Sequence, residues 1–300
     1  MSGLVTLRLM VAVTSIGGQP DSLKVALQQA TSDQERAELQ FELANALLTD
    51  NFLESVQYAR QAQQSAQAAG DTGMWAQACN LEAIGFQQRG DSEASMAGYL
   101  KALNLCKAIH DTVGIAAMSM NMGSLYHDNK QPHKAREHFD AALRIYTQDQ
   151  DTAMIAQTLG NIANVLGELE ERDSSLHYYM RAIELSEAVG DASELGYLHQ
   201  NLSAHYQAAG DLDRALALQR QGLHTVPEAG DWERGRSWVE FAAIFAAMNR
   251  LDSAEHYARK ALTASVADGW KPDIANASMQ LYTVLEMANQ RDSAWHYYKV

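Results

Sequence analysis

Three asparagines, Asn121, Asn161 and Asn201, recur with a period of 40, and each directly precedes an apolar residue. A carboxamide both donates and accepts hydrogen bonds, so a row of asparagines can bind the backbone of an extended polypeptide without demanding a particular sequence. The same side chains can also bond to neighbouring helices and hold a structure together, and the two roles are compatible. Helical spacing places further uncharged hydrogen-bonding residues beside this row: Ser124, Gln157, Asn164 and Tyr197.

The ten histidines predict no catalytic or metal site. His133 and His138 are five residues apart, and His199 and His205 are six apart. Neither spacing places two imidazoles on one helical face, as the i, i+4 spacing of a zinc-binding helix does. Motifs typical of metalloproteases, nucleotide-binding loops and hydrolase nucleophiles are also missing from the sequence. We therefore expect no enzymatic activity, no metal and no cofactor.

The composition favours an all-helical chain. It has 300 residues, 47% of them apolar, and only four prolines, and residues that favour helices dominate. The formal net charge of −14 argues against general binding to nucleic acid, which needs a basic surface. Cys79 and Cys106 show no metal-like spacing and fall among apolar residues, so we expect small buried side chains, with a disulfide as the alternative.

The first 19 residues have the order of parts of a leader. A short, positively charged start is followed by the mostly apolar residues 9–16 and then by small residues before Pro20. This order predicts a secretory signal peptide, and with it export, or otherwise a disordered leader. No run in the sequence reaches the roughly 18 apolar residues that predict a transmembrane helix.

A Gly-Asp dipeptide recurs in phase with a 20-residue spacing. It stands at 70–71, 90–91, 190–191, 210–211 and 230–231, while His110-Asp111 and Gln150-Asp151 keep only the aspartate. Glycine adopts the left-handed conformation that ends one helix, and aspartate accepts the free N–H groups that begin the next. About 15 helical residues lie between these signals, and two such helices form one 40-residue unit. Asp21 is expected to cap a shorter helix over residues 20–30.

The chain after residue 30 is predicted to be one domain of stacked helical hairpins. Within the unit 111–150, Gly123 lets the second helix approach closely, and Phe139 fills the gap that remains. Irregularities, such as Glu82 at an expected apolar position, are interpreted as adjustments of turn length. The predicted units are 31–70, 71–110, 111–150, 151–190, 191–230, 231–270 and a partial unit, 271–300.

This layout resembles the tetratricopeptide repeat. That family places Leu-Gly and then Tyr on the first helix of each unit, and Ala, an aromatic residue and Ala on the second. The corresponding residues here are Met122-Gly123, Tyr126, Ala135, Phe139 and Ala142. The period of 40 exceeds the family's usual 34, and the closing proline is mostly missing, with Pro227 its nearest equivalent. The resemblance implies an all-α fold, a right-handed superhelical array of about six and a half helix-turn-helix units.

In that family the first helices line a concave groove, and the resemblance implies that the asparagine position faces it. The candidate peptide-binding residues are then Asn121, Ser124, Gln157, Asn161, Asn164, Tyr197 and Asn201. The family's clamp for acidic tails needs Lys and Arg on these inner positions. The early position holds Ala117, Gln157 and Tyr197, and only Arg236 is basic, so we do not expect a carboxylate-clamp cochaperone.

The resemblance implies a non-catalytic scaffold that binds a peptide or protein segment in bacterial signalling or complex assembly. The longer repeat form is similar to regions that precede histidine kinases or transcription regulators. The alternative is therefore a sensor or spacer region of a larger protein, truncated at residue 300 and without a ligand of its own. Residues 294–298 do not form the polar cap that usually ends such an array, which favours a fragment or a docked end. Self-association is compatible with either role.

Overall fold

The computed structural model describes residues 19–48, 51–225, 231–268 and 271–297. Every regular element within these ranges is an α-helix, and consecutive helices pair as helix-turn-helix hairpins, which confirms the predicted all-α repeat array. Contacts divide the chain into two compact units, residues 1–150 and 151–300. Most of the predicted leader, residues 1–18, lies outside the described residues, as do Pro227, Gly230 and residues 298–300.

The first unit contains a leading helix and three hairpins. Its helices are α1 (Pro20–Gln29), α2 (Asp33–Ala46), α3 (Phe52–Ala69), α4 (Thr72–Gln88), α5 (Ser92–Ala108), α6 (Thr112–Asp128) and α7 (Pro132–Asp149). Helix α2 packs on α3, α4 on α5 and α6 on α7, and consecutive hairpins within this unit also contact each other. Small and large side chains from facing helices fill the space between them, as where Ala102 and Met122 pack with Tyr99.

The second unit contains four hairpins, the last of them short. Its helices are α8 (Thr152–Glu168), α9 (Arg172–Val189), α10 (Ala192–Ala208), α11 (Leu212–Thr225), α12 (Asp231–Ala247), α13 (Leu251–Asp268), α14 (Lys271–Met287) and α15 (Arg291–Tyr297). The first helices of the first two hairpins, α8 and α10, contact each other directly. In the third hairpin Tyr257 stacks on Phe241 and Phe245, with ring centroids 5.0 and 5.5 Å apart.

The turns between helices follow the chemistry that the Gly-Asp signals predict. The glycines at 70, 90, 190 and 210 are left-handed, with φ between 72° and 82°. The aspartates at 71, 91, 111, 151 and 191 each accept a hydrogen bond from the backbone N–H three residues later, at 2.9–3.1 Å. The helices between these turns have 17 or 18 residues, slightly more than predicted. The predicted cap at Asp21 is wrong, because α1 begins at Pro20 and Asp21 lies in its first turn.

Six turns of the described chain place a residue other than glycine in the left-handed region. His110 and Gln150 occupy the positions where the sequence keeps the aspartate and loses the glycine, with φ of 55° and 59°. The other four are Lys130, Glu170, Asn249 and Asn289. All six side chains are exposed. The turn geometry therefore persists without glycine, at a backbone cost of about 1 kcal/mol per residue.

The close approach predicted at Gly123 is confirmed. A Cβ atom added there would lie 2.6 Å from Cε1 of Phe139 and 2.7 Å from its Cδ1, which is closer than atoms can pack. Phe139 itself is 2% exposed. Buried serines also join the two helices of a hairpin, as where the Ser203 hydroxyl donates to the Ala215 carbonyl at 2.8 Å. Glycine on one helix and an aromatic ring on the other thus set the spacing within the hairpin α6–α7.

At Glu82 the interpretation as a turn-length adjustment is wrong. Helices α4 and α6 begin at Thr72 and Thr112, one full period apart, so the turns before them leave the register unchanged. The Glu82 carboxylate instead accepts hydrogen bonds from the Arg60 guanidinium and the Gln63 amide, both at 2.6 Å. These partners lie on the preceding helix, α3, and the residue before Glu82 takes the buried position beside them. A polar contact between hairpins therefore replaces an apolar one.

The cysteines are as predicted. Cys79 and Cys106 are buried and carry free thiols. Burial raises the pKa of the Cys79 thiol to about 11 and also raises that of Cys106, so both remain protonated at neutral pH. Among the described helices, none combines the length and the apolar character that crossing a lipid bilayer requires.

Candidate functional site

Asn121 makes a contact between hairpins. It is half-buried on α6, and its Nδ2 donates to Oδ1 of Asn80 on α4 at 2.7 Å. The bond joins the first helices of two consecutive hairpins, so this asparagine contributes to the stack. Asn80 was missed at the sequence level because it lies one position out of the period that the other asparagines keep. The order Asn80-Leu81, which repeats the asparagine-apolar pair, is the signal that could have found it.

Asn201 has the same place on its helix and a different environment. It is half-buried on α10, and its Nδ2 is enclosed with no hydrogen-bond partner among the described residues. A buried amide without a partner is destabilising by roughly 1–3 kcal/mol. Asn161, at the equivalent position of α8, is also half-buried. The second unit thus has an asparagine with unused hydrogen-bonding capacity, whereas the amide of Asn121 is engaged.

Asn164 connects three helices of the second unit. The hydroxyl of Tyr179, on α9, donates to Oδ1 of Asn164, and Nδ2 of Asn164 donates to the hydroxyl of Tyr197, on α10, at 3.5 Å. Tyr179 is 3% exposed, and burial, followed by the proximity of Tyr197, raises the pKa of its hydroxyl. Tyr197 remains 46% exposed. Asn164 therefore has both ends of its amide engaged, closely by the buried Tyr179 and more weakly by Tyr197.

The two remaining predicted site residues differ in exposure and in hydrogen bonding. Ser124 is half-buried on α6, and its hydroxyl donates to the Met120 carbonyl of the same helix at 3.2 Å. Gln157 is exposed on α8. The structure thus brings Gln157, Asn161, Asn164, Tyr197 and Asn201 onto two adjoining first helices of the second unit. We call these five residues the amide face. Asn121 and Ser124 belong to the first unit.

A carboxyl group missed at the sequence level lies one turn before Tyr197. Glu194 is half-buried on α10, and its Oε1 is enclosed without a hydrogen-bond partner among the described residues. It lies beside Gly160, where a Cβ atom would be 3.5 Å from Oε1 and 2.6 Å from Cδ2 of Leu198. Burial, and then the negative charge of Asp191, raises the pKa of Glu194 to about 7. Its position three residues before Tyr197 and seven before Asn201 is the helical signal that could have indicated it.

Replacing Glu194 with glutamine is expected to remove a contribution to stability that is lost as the pH rises from 5 to 8. The ordinary pKa of a glutamate is 4.5 and the folded value is about 7. Between these values Glu194 binds more protons in the folded than in the unfolded state, so its contribution to the free energy of unfolding falls as pH rises. A carboxamide does not titrate. Urea unfolding of the full chain at both pH values is the measurement.

The matched control for this prediction is Glu170→Gln, at an exposed turn of the same unit. The other titrating groups, including His199 and His205, whose pKa values burial lowers, are common to all three proteins and cancel in the comparison. If Glu194→Gln and Glu170→Gln change the pH dependence equally, the enclosed environment assigned to Glu194 is wrong.

Two of the histidines discussed above, His138 and His205, pack against aromatic rings. His138 stacks on Tyr126 with ring centroids 5.2 Å apart, and His205 lies edge-on to Tyr179 at 6.2 Å. His199 is half-buried, and its Nδ1 is enclosed. In the part of the chain that the structure describes, no three His, Cys, Asp or Glu side chains come together in a way that could hold a metal ion.

Comparison with known sequences agrees with the fold. The sequence model of the family described as Tetratricopeptide repeat matches residues 114–188. Tetratricopeptide repeat protein 29 of Trypanosoma brucei brucei is 23% identical over 228 residues, which cover 74% of this chain and 47% of that protein. The chain therefore spans about half the length of the curated relative that it matches.

Solved structures show the same fold at low sequence identity. The apo form of the quorum sensor NprR from B. thuringiensis superposes with a TM-score of 0.76 at 12% identity, covering 99% of this chain and 84% of that one. A Rap protein complexed with Competence and Sporulation Factor gives 0.61 at 17% identity, covering 91% and 71%. Aspartyl phosphate phosphatase F from Bacillus subtilis gives 0.65 at 14% identity, covering 92% and 72%.

The hairpin array and the similar solved structures show the fold of tetratricopeptide-repeat proteins, and residues 114–188 match the sequence model of that family. The family match does not distinguish the 40-residue form of the repeat from the usual one. In this chain, however, the first helices α4, α6, α8 and α10 keep the longer period, because they begin at Thr72, Thr112, Thr152 and Ala192.

Proposed function

We propose that this chain is a non-catalytic scaffold that binds a peptide or protein segment on the amide face, within a signalling or assembly system. The observation that carries the proposal is the contrast between equivalent asparagines. The Asn121 amide is engaged by Asn80 at 2.7 Å, whereas the Asn201 amide has no partner among the described residues. An extended backbone presents a carbonyl and an N–H group at each residue. It supplies the missing partner once the Asn201 side chain turns outward, because Nδ2 is enclosed in the free chain.

The surroundings of Asn201 favour an uncharged contact. The amide face consists of four carboxamides and one tyrosine, and Gln157 and Tyr197 are its exposed members. Such side chains bind backbone groups with little regard to sequence. Structures of similar fold include one named as a quorum sensor and one in complex with a factor, which supports a binding role of this class.

The double substitution Asn161→Ala with Asn201→Ala is expected to weaken binding of a selected peptide about tenfold or more. Each lost hydrogen bond contributes roughly 0.5–1.5 kcal/mol, and 1.4 kcal/mol corresponds to a factor of ten. A random peptide library selected on the immobilised full chain provides the ligand, and fluorescence polarisation measures its affinity. Circular dichroism of each variant verifies that the helices remain.

The matched control is Asn104→Ala, an exposed asparagine on the second helix α5, which should leave affinity unchanged. Equal affinity for the double variant and the wild type, with the fold retained, would place the ligand on another surface. A second assay tests the non-catalytic part of the proposal. It is suggested by the similarity to aspartyl phosphate phosphatase F. Hydrolysis of acetyl phosphate by the purified chain would contradict that part.

The alternative, a sensor or spacer region without a ligand of its own, has support in the first unit. There the Asn121 amide and the Ser124 hydroxyl are both engaged within the protein. Under this alternative, selection from the peptide library yields no sequence that binds the wild type better than a scrambled control.

A further inference from the structure

Tyr197 differs from the residues at equivalent positions of the preceding hairpins. The position holds Ala117 in α6 and Gln157 in α8, so only α10 of these three helices presents an aromatic ring there. Its chain neighbours are buried, Leu198 fully so, whereas Tyr197 is 46% exposed. A half-exposed ring between packed residues is an apolar surface for which the fold itself supplies no cover.

The ring is held at its hydroxyl end. Asn164 donates to the Tyr197 hydroxyl at 3.5 Å, and Asn164 is in turn fixed by the hydroxyl of the buried Tyr179. The bond to Tyr197 is long and therefore weak, but the amide that makes it has a fixed orientation. Asn164 is thus a positioning residue, and the Tyr197 ring is presented to a ligand in a restricted set of orientations at little cost in conformational entropy.

Other tyrosines of the protein are covered where Tyr197 is not. The Lys134 ammonium lies 5.2 Å from the ring centre of Tyr126, and the Arg214 guanidinium lies 5.5 Å from that of Tyr206. Among the described residues, no cation occupies the corresponding place over Tyr197. Two titratable groups lie near it on its own helix: His199, two residues later, and Glu194, one turn earlier, whose raised pKa favours the neutral form below about pH 7.

We propose that Tyr197 is the specificity anchor of the amide face, and that its ligand is a polypeptide segment carrying an uncharged aromatic side chain. This inference rests on the proposed function. The ligand's ring stacks on Tyr197 in an offset or edge-on arrangement, which is the geometry that aromatic quadrupoles favour. Tyrosines are over-represented among the residues that dominate binding energy at interfaces.

The spacing allows one short segment to use both parts of the face. Tyr197 and Asn201 are one helical turn apart, about 6 Å along the axis. Two residues of extended chain span about the same distance. A segment whose ring stacks on Tyr197 therefore has a backbone group beside Asn201. It can bond to the Asn201 amide once that side chain turns outward, because Nδ2 is enclosed and has no partner among the described residues.

The experiment is a selection followed by a double-mutant cycle on the full chain. A random dodecapeptide library is selected on the wild type, and the best peptide is also synthesised with its ring residue replaced by alanine. Both peptides are measured on the wild type, Tyr197→Ser, Tyr197→Phe, Asn164→Ala and the control Met180→Ser. Met180 is a 51% exposed apolar residue on the second helix α9.

The expected result is a ring residue at one fixed position of the selected peptides. Tyr197→Ser should weaken binding about tenfold, and the alanine peptide should lose no further affinity on that variant. Tyr197→Phe, which keeps the ring, should retain affinity within about threefold, and Met180→Ser should not differ from the wild type. Asn164→Ala should reduce the coupling energy between the peptide ring and Tyr197 in the double-mutant cycle. If Asn164 had only a structural role, this coupling energy would not change.

Two outcomes overturn the inference while the proposed function stands: selected peptides without a common ring residue, or equal affinity for the wild type and Tyr197→Ser. Selection of no peptide at all by the wild type overturns the proposed function, and the inference with it. Because Tyr197→Phe keeps the packing of the ring, a fold defect in Tyr197→Ser does not leave the question open. Loss of binding in the phenylalanine variant as well would contradict stacking as the cause.

Discussion

Phe139→Ala is expected to lower the free energy of unfolding by about 3–5 kcal/mol. The ring is 2% exposed, and it fills the gap beside Gly123, where the facing helix carries no side chain. Truncation removes the apolar contacts and leaves a cavity that neighbouring side chains cannot close without moving the helices. Urea unfolding of the full chain, followed by circular dichroism, measures the loss.

The control for this substitution is Glu137→Ala on the same helix, at an exposed position, which should change stability by no more than about 0.5 kcal/mol. In repeat arrays each unit contacts only its neighbours, so hydrogen exchange should show the loss concentrated in α6 and α7. A loss below about 1 kcal/mol for Phe139→Ala would mean that the hairpin collapses over the gap and that the ring does not set its spacing.

Gly123→Ala is expected to destabilise the chain by about 1–3 kcal/mol, although it adds a single methyl group. The new Cβ would stand 2.6 Å from Cε1 and 2.7 Å from Cδ1 of the buried Phe139 ring. A ring enclosed on all sides cannot swing away, so the two helices must separate. The same denaturation experiment measures the effect, and the intrinsic preference of alanine for helix works in the opposite direction.

Gly160→Ala is the informative comparison for this prediction. Its Cβ would also be 2.6 Å from a neighbour, but that neighbour is Cδ2, the far end of the flexible Leu198 side chain, which can rotate. We expect a smaller loss there than at Gly123. Combining Gly123→Ala with Phe139→Leu should cost less than the sum of the two single losses, because the smaller side chain makes room for the methyl group. Additive losses would show that the contact with Phe139 is not the source of the strain.

The parts of the fold that depend on residues close together in the sequence could be predicted from it. A turn such as Gly90-Asp91 needs only a left-handed residue and a capping carboxylate, and the structure has both there. The prediction at Asp21 failed in the same local setting, because Pro20 is itself a favoured first residue of a helix. The periodic small and large residues likewise predicted the hairpins, since helical spacing decides which side chains share a face.

Contacts between hairpins could not be predicted in this way. Glu82 breaks the apolar pattern of its own helix, and its partners Arg60 and Gln63 lie on the helix before it, in another hairpin. The candidate site shows the same limit. Asn121 and Asn201 occupy equivalent positions, yet one amide is engaged and the other is not, because this depends on which side chain the adjacent first helix presents.

The six left-handed residues other than glycine bear on how far this fold could be improved. Each is exposed. Four other turns of the chain have a glycine at the same position, and glycine adopts this conformation without steric strain. If each of the six side chains costs about 1 kcal/mol, the six turns together lower the free energy of unfolding by an amount comparable to the whole stability of a small domain. An ancestor or a designed variant with glycine at these turns would tolerate substitutions on its helices that would unfold the present chain. The turns, which contact no ligand in the proposal above, would then govern how freely the binding face can diversify.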